Sequence, residues 1–172
     1  MKKILITGSK GFIGSHLVDS LIDRYEIYGF DNNLPGFGNK MLNPLAHQIV
    51  GDVRNLNDLN FATKNIDMVV HLAALSHVST CLNDPKLAYE VNVGGTINLL
   101  EACRKNDVKR VVLAASDHIY GKNPAIVPVA ENDGYKALYE SDVYGKTKAM
   151  QAVIGKMYND LYHLGVVMTA SG

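Results

Sequence analysis

Residues 4–17 read ILITGSKGFIGSHL, and the fold follows from this stretch. The apolar run Ile4-Leu5-Ile6 closes on Thr7. Gly8, Gly11 and Gly14 follow at intervals of three, and Ile13, Leu17 and Leu21 recur every four residues. The order is strand, glycine turn, amphipathic helix. Gly8 suits backbone angles that a Cβ forbids. Gly11 lets a phosphate approach main-chain N–H groups at a helix N-terminus, where the dipole favours an anion. Gly14 lets the helix pack closely on the strand. A glycine triplet alone marks many tight turns. The strand before it and the helix after it supply the context that a dinucleotide-binding turn requires.

Working outward, residues 25–30 (YEIYGF) form a second strand that ends at Asp31. A carboxylate about 20 residues beyond the glycine turn accepts hydrogen bonds from adenosine ribose hydroxyls. It also repels a 2′-phosphate, which favours NAD over NADP, although Lys10 in the loop argues the other way. The plainer alternative for Asp31 is a turn residue leading into DNNLPGFGNK.

The remaining chain alternates in the same manner. Strands are expected at 47–50, 67–73, 110–115 and 166–169, and helices at 56–64, 85–105 and 141–163. Pro85 suits a first helical turn, and Ala88, Val91, Gly95, Leu99 and Ala102 form an apolar or small stripe behind it. Residues 117–135, with Gly121, Pro124, Pro128 and Gly134, read as loop. Apolar strands alternating with helices predict an α/β fold, a Rossmann-type doubly wound parallel sheet with helices on both faces. No repeat, linker or low-complexity tract interrupts it, so residues 1–172 read as one domain.

Composition narrows the function. Lys plus Arg and Asp plus Glu are 17 each, for a net charge of +0, so nothing points to nucleic acid. Cys81 and Cys103 lack metal-ligand spacing and read as reduced thiols; no metal site is expected. No stretch has the length of a signal-peptide core or a membrane span. The expectation is a soluble, cytoplasmic protein without a membrane partner.

Tyr144 and Lys148 lie four apart in the last expected helix, one turn from each other on one face. That spacing suits a phenol acting as acid or base beside an ammonium, which is expected to lower the tyrosine pKa. Ser116 follows the strand at 110–115, at the carboxyl end where open parallel sheets bind ligands. Its hydroxyl would bond the same substrate oxygen as Tyr144. A solvated helix face is the plainer account of a Tyr-x-x-x-Lys pair taken alone.

At this point the chain resembles the extended short-chain dehydrogenases/reductases, specifically the NAD-dependent nucleotide-sugar epimerase/dehydratase family. The matching segments are TGSKGFIGSHL, FDN at Asp31, GDV at Asp52, HLAALSHV, NDPKLAYEVNVGGTINLLEAC, ASDHIYG and YGKTK at Tyr144, in family order over nearly the whole chain. The resemblance implies that Gly8, Gly11, Phe12, Ile13 and Gly14 hold the pyrophosphate of NAD. Asp31 and Asn32 would hold the adenosine ribose, Asp52 and Val53 the adenine, and Leu72, Ala73 and Ala74 the nicotinamide side. Ser116, Tyr144 and Lys148 match the catalytic triad; Tyr144 would take a hydroxyl proton as hydride passes to NAD, and Lys148 would also bind the nicotinamide ribose. Asn92 interrupts an apolar stripe, and two readings stand: a buried amide tying loops together, or a residue near the active and cofactor site.

Two departures shape the expectation. Dehydratases carry an acid pair after the hydroxyl residue; here Asp117 would be the acid and His118 stands where Glu is usual, with plain loop residues as the alternative. The family also continues past the last strand into a region holding most of the sugar-nucleotide site, whereas this chain ends in MTASG, so a C-terminal substrate-binding region is expected to be absent. The implied function is an NAD-dependent epimerase or dehydratase acting on a nucleotide sugar by transient hydride transfer. The alternative is an NAD-binding module without independent turnover. The resemblance also implies a homodimer through the helices 85–105 and 141–163, with Val93, Ile97, Leu100, Met150, Val153, Ile154 and Met157 as the apolar residues beyond the first stripe.

Overall fold

Lys3–Thr7 forms β1, and its side chains divide between two cores. Successive strand residues point to opposite faces. Ile4 and Ile6 join Val18 and Ile27 on one side, while Leu5 joins Phe30, Val69, Leu99, Val111 and Leu113 on the other. A strand buried on both faces needs a continuous apolar run, which is what Ile4-Leu5-Ile6 supplies. The computed structural model describes residues 1–34, 40–120 and 141–170.

After β1 come α1 (Phe12–Leu21), β2 (Glu26–Asp31), β3 (His47–Val50), α2 (Leu56–Ala62) and β4 (Met68–His71). Then follow α3 (Val78–Asn83), α4 (Pro85–Ala88), a π-helical turn (Tyr89–Gly94) and α5 (Gly95–Lys105). The described chain closes with β5 (Arg110–Ala114), a 3-10 turn (Asp117–Tyr120), α6 (Val143–Tyr162) and β6 (Gly165–Thr169). The strands form one six-stranded sheet in the order β3-β2-β1-β4-β5-β6, with every neighbouring pair parallel. The order reverses between β1 and β4, and a crevice opens at such a switch point beyond the carboxyl ends of the strands. α1 covers one face; α2, α5 and α6 contribute Leu59, Leu99, Leu100 and Tyr158 to the core on the other. The doubly wound α/β fold read from the sequence is the fold observed.

Several boundaries move, each for a local reason. The strand expected over 67–73 ends at His71, because Leu72 N and Ala73 N turn to donate to Thr7 O (3.2 Å) and Thr7 Oγ1 (3.2 Å). The helix expected over 56–64 stops at Ala62, and the one over 141–163 begins at Val143 and stops at Tyr162, where His163 turns left-handed (φ 54). The helix expected over 85–105 is broken by the π-helical turn, and α3 is an element the sequence reading lacks. Only the 3-10 turn of the expected loop 117–135 is described; residues 121–135 lie outside the described residues. Leu100, expected among the surface residues of a dimer, is wholly buried in the core, because α2 and α6 both pack against α5.

Candidate active site

The glycine turn joins β1 to α1 at the switch point. Gly8 adopts φ +68, and a Cβ there would lie 2.8 Å from Ala73 N, so both backbone angle and space require glycine. Gly14 meets the carbonyl of Gly8, and a Cβ would overlap it. Gly11 caps α1 with extended backbone and no side-chain cap, and the first turn of α1 carries no acidic residue. The first N–H groups of a helix have no partner within it. Phe12 and Ile13 stand exposed beside them.

Asp31 ends β2 beside this turn. Its Oδ2 accepts Lys10 N (3.0 Å) and its Oδ1 accepts Asn33 N (3.0 Å), which aim the carboxylate along the loop; Asn32 is exposed next to it. Asp52 lies at the end of β3, with Arg54 Nη2 2.6 Å from its Oδ2, and the guanidinium holds its pKa below the usual carboxylate value. Val53 is buried against Gly95. Leu72 and Ala73 run past Gly8 where β4 turns away, and Ala74 follows them in the chain.

Ser116, Asp117, Tyr144 and Lys148 meet at the end of β5. Asp142 caps α6, its Oδ1 accepting Gly145 N at 2.9 Å. A Cβ on Gly145 would overlap the Ser141 side chain and come within 3.3 Å of His118 Cβ, so the first turn of α6 lies close on the 3-10 turn. Ser116 donates to Asp117 Oδ1 (3.0 Å), and its hydroxyl lies close enough to Tyr144 to favour the phenolate. The ring of Tyr144 lies edge-on to His118, with centroids 5.5 Å apart.

The electrostatics differ from the expectation. Burial raises the Tyr144 pKa, and the hydrogen bond with Ser116 only partly opposes this. Lys148 does not lower it, because its Nζ donates to Ala114 O at 2.8 Å and sits 5.8 Å from the Tyr144 ring centroid. Lys148 is itself buried, and desolvation pulls its pKa down to about 8.

A buried polar chain lies beneath the site, of which only Asn92 stands out in the sequence, with a buried amide tying loops together as one of its two readings. Thr7 Oγ1 contacts His71 Nδ1 (2.7 Å), and His71 Nε2 contacts Thr96 Oγ1 (3.1 Å). Thr96 donates its only hydroxyl proton to Asn92 O (2.6 Å), so His71 must donate through Nε2 and accept through Nδ1. Burial pulls the His71 pKa down to about 3, which keeps this neutral tautomer in place. Asn92 is fully buried. Its Oδ1 accepts Leu75 N (2.7 Å), and its Nδ2 donates to Leu75 O (3.1 Å) and Thr147 Oγ1 (2.9 Å). Both amide protons are used within the protein, so Asn92 ties the segment after β4 to α6. Gln151 Nε2 adds a bond to Thr96 Oγ1 (2.6 Å). The signal in the sequence was polar residues four apart in apolar helices: Asn92 with Thr96, Thr147 with Gln151.

Among the described residues, no group of three or more His, Cys, Asp or Glu side chains is placed to hold a metal ion, and no helix is long and apolar enough to cross a membrane.

The fold and its crevice define a dinucleotide-binding short-chain dehydrogenase/reductase. The family model described as NAD dependent epimerase/dehydratase family matches residues 4–170, and the chain belongs to that family. A putative UDP-glucose 4-epimerase of Methanocaldococcus jannaschii is 38% identical over 162 residues, covering 92% of this chain and 52% of that protein. Among solved structures, UDP-glucose 4-epimerase of Thermus thermophilus in complex with NAD superimposes with a TM-score of 0.86 at 31% identity, covering 96% of this chain and 53% of the other. UDP-N-acetylglucosamine 4-epimerase of Methanobrevibacter ruminantium, in complex with UDP-N-acetylmuramic acid, gives 0.87 at 31% identity, covering 97% and 53%. The chain spans about half the length of the curated relatives it matches.

Proposed function

We propose that the chain binds NAD in the switch-point crevice and carries the proton-transfer half of a nucleotide-sugar epimerase or dehydratase. The observation that carries the proposal is the convergence of Ser116, Tyr144 and Lys148 at the end of β5, at the same edge of the sheet as the glycine turn of β1 and separated from it by β4. The cofactor's pyrophosphate would rest on Gly8, Gly11, Phe12, Ile13 and Gly14, its ribose on Asp31 and Asn32, and its adenine on Asp52 and Val53. Leu72, Ala73 and Ala74 would face the nicotinamide, with Asn92 holding that wall in place. Bound NAD supplies the hydride acceptor. Tyr144 would take the proton of a sugar hydroxyl only as the phenolate, the form its raised pKa disfavours in the ligand-free chain, while the carbon bearing that hydroxyl gives up hydride; Ser116 would hydrogen-bond the same oxygen. Lys148 holds the nicotinamide ribose, and Asp117 is the candidate acid for loss of water.

Epimerisation is the branch we favour, because relatives at 32–38% identity are named UDP-glucose 4-epimerases. His118 in place of the dehydratase Glu agrees with that choice. Dimerisation through α5 and α6 is part of the proposal; Ile97, Val153 and Met157 are exposed there, with Val93, Met150 and Ile154 partly so. A cytoplasmic location is consistent with two free, buried cysteines.

One observation favours a second reading: the matched relatives are about twice as long as this chain. On that reading, the 172-residue polypeptide holds NAD and turns nothing over by itself. Positioning of a substrate accounts for ~7–11 kcal/mol of a barrier, and these residues match only 52% of the length of the Methanocaldococcus jannaschii relative. The experiment incubates the polypeptide with NAD and a panel of UDP- and dTDP-sugars, following reduced-cofactor absorbance and products by chromatography. Epimerised product at roughly 1–1000 per second, lost in Tyr144→Phe, supports the enzyme reading. NAD binding without product supports the second, and turnover that survives Tyr144→Phe refutes the assigned chemistry.

A further inference from the structure

Asp52 is held more tightly than recognition of a base by a lone carboxylate requires. Three N–H groups of one residue converge on it. Arg54 N donates to Oδ1 (2.8 Å), Nε is shared between Oδ1 (3.0 Å) and Oδ2 (3.1 Å), and Nη2 donates to Oδ2 (2.6 Å). A carboxylate offers about four acceptor positions; Nε straddles the two oxygens, so three N–H groups are spread over those positions, and the Asp52 side chain remains 27% exposed for a further donor. The loop that carries the pair is fixed on both sides. Asp52 N donates to Asp58 Oδ2 (3.0 Å), and Asn98 Nδ2 donates to Val53 O (3.1 Å) and Arg54 O (3.0 Å). Val53 itself is packed where a Cβ on Gly95 would come within 2.6 Å of its Cγ2. The far side of Arg54 lines an open groove of about 360 Å³ with Glu90, Gly94, Ile97 and Asn98.

We infer that Arg54 is a positioning residue that sets base specificity: it clamps Asp52 so that one acceptor position stays aimed at the 6-amino group of adenine. The inference rests on the proposed contact between Asp52 and the cofactor's adenine. A carboxylate free to rotate would turn other lone pairs to the base or bond water instead. One locked by a planar fork keeps a single orientation, which an ammonium cannot enforce. The clamped oxygen accepts from the amino group of adenine and repels the carbonyl oxygen that hypoxanthine carries in its place.

Calorimetric titration of NAD and of nicotinamide hypoxanthine dinucleotide, into the wild type and into Arg54→Ala and Arg54→Lys, tests this. The wild type should bind NAD on the order of tenfold or more tightly than the analogue, the factor expected when a charged acceptor loses its donor. Arg54→Ala should melt near the wild-type temperature, since Arg54 is at the surface, while the ratio of affinities falls toward one. Arg54→Lys should lose the ratio as well, because it keeps the charge and not the fork. An unchanged ratio in Arg54→Ala overturns the inference. Tighter NAD binding with the ratio intact also overturns it, and marks Arg54 as a competitor for the carboxylate. A wild-type ratio near one overturns the Asp52 contact and the inference with it. Failure of either dinucleotide to bind removes the proposed function itself, a result distinct from the others.

Discussion

At the scale of single residues, Lys148 pairs a proposed role in cofactor binding with a structural liability. Its folded pKa, about 8, lies below the ordinary lysine value of 10.5. A depressed lysine pKa means that the unfolded chain binds the proton more tightly. The penalty is therefore fully present below about pH 8, shrinks as pH rises from 8 to 10.5, and is gone above that. Its size at neutral pH is on the order of 3 kcal/mol. Lys148→Met should consequently raise the stability of the ligand-free chain at pH 7, flatten the rise in stability between pH 8 and 10.5, and weaken NAD binding. Urea unfolding at a series of pH values checks the first two effects, and titration of NAD checks the third. A variant less stable than wild type at neutral pH would show that the ammonium is satisfied where it lies. The position of Lys148 was legible from Tyr144-x-x-x-Lys148. The raised Tyr144 pKa was not, because it comes first from burial by chain distant in sequence and then from the charges of Cys81, Asp117 and Asp142 around the ring.

At the scale of elements, the long helix after Pro85 is informative because its regularity fails where Asn92 sits. The π-helical turn holds Asn92, and such turns favour functional sites over plain packing. Three hydrogen bonds from its amide reach Leu75 and Thr147, so Asn92→Leu leaves buried partners unsatisfied at about 1–3 kcal/mol each. The expected outcome is a loss of several kcal/mol in urea unfolding, with α6 loosened more than β1 in hydrogen exchange. A loss below about 1 kcal/mol would mean that water replaces the amide without consequence. The sequence made the strands legible, since Ile4-Leu5-Ile6 and Val111-Val112-Leu113 are too apolar for a half-exposed sheet. It made the glycine turn legible for the same local reason. The π turn, the short α3 and the burial of Leu100 depend on contacts 17 or more residues away or on neighbours packed from two sides, and no local pattern records them. Arg54 is the opposite case. Its bonds to Asp52 span two positions in a turn, and an Asp-x-Arg pair is readable in the sequence.

At the scale of the whole molecule, one sheet gathers the candidate cofactor residues beyond the carboxyl ends of its strands and sets Ser116 there against Tyr144 and Lys148 of α6, while α5 and α6 leave apolar side chains on the outside. Val153 is 46% exposed and Met157 44%, beside Ile97 at 39%. The expected state is a dimer at micromolar concentration by light scattering. Val153→Glu should return it to a monomer with an unchanged melting profile at low concentration. A monomeric wild type would contradict this part of the proposal and leave the cofactor site untouched. The central claim, that this crevice is an NAD site set by Asp31, is tested most directly by titrating NAD and NADP separately in a calorimeter. The account predicts saturable one-to-one binding of NAD that is tighter than binding of NADP, because the 2′-phosphate meets the Asp31 carboxylate. Tighter NADP binding, or no saturable heat with NAD, would contradict it.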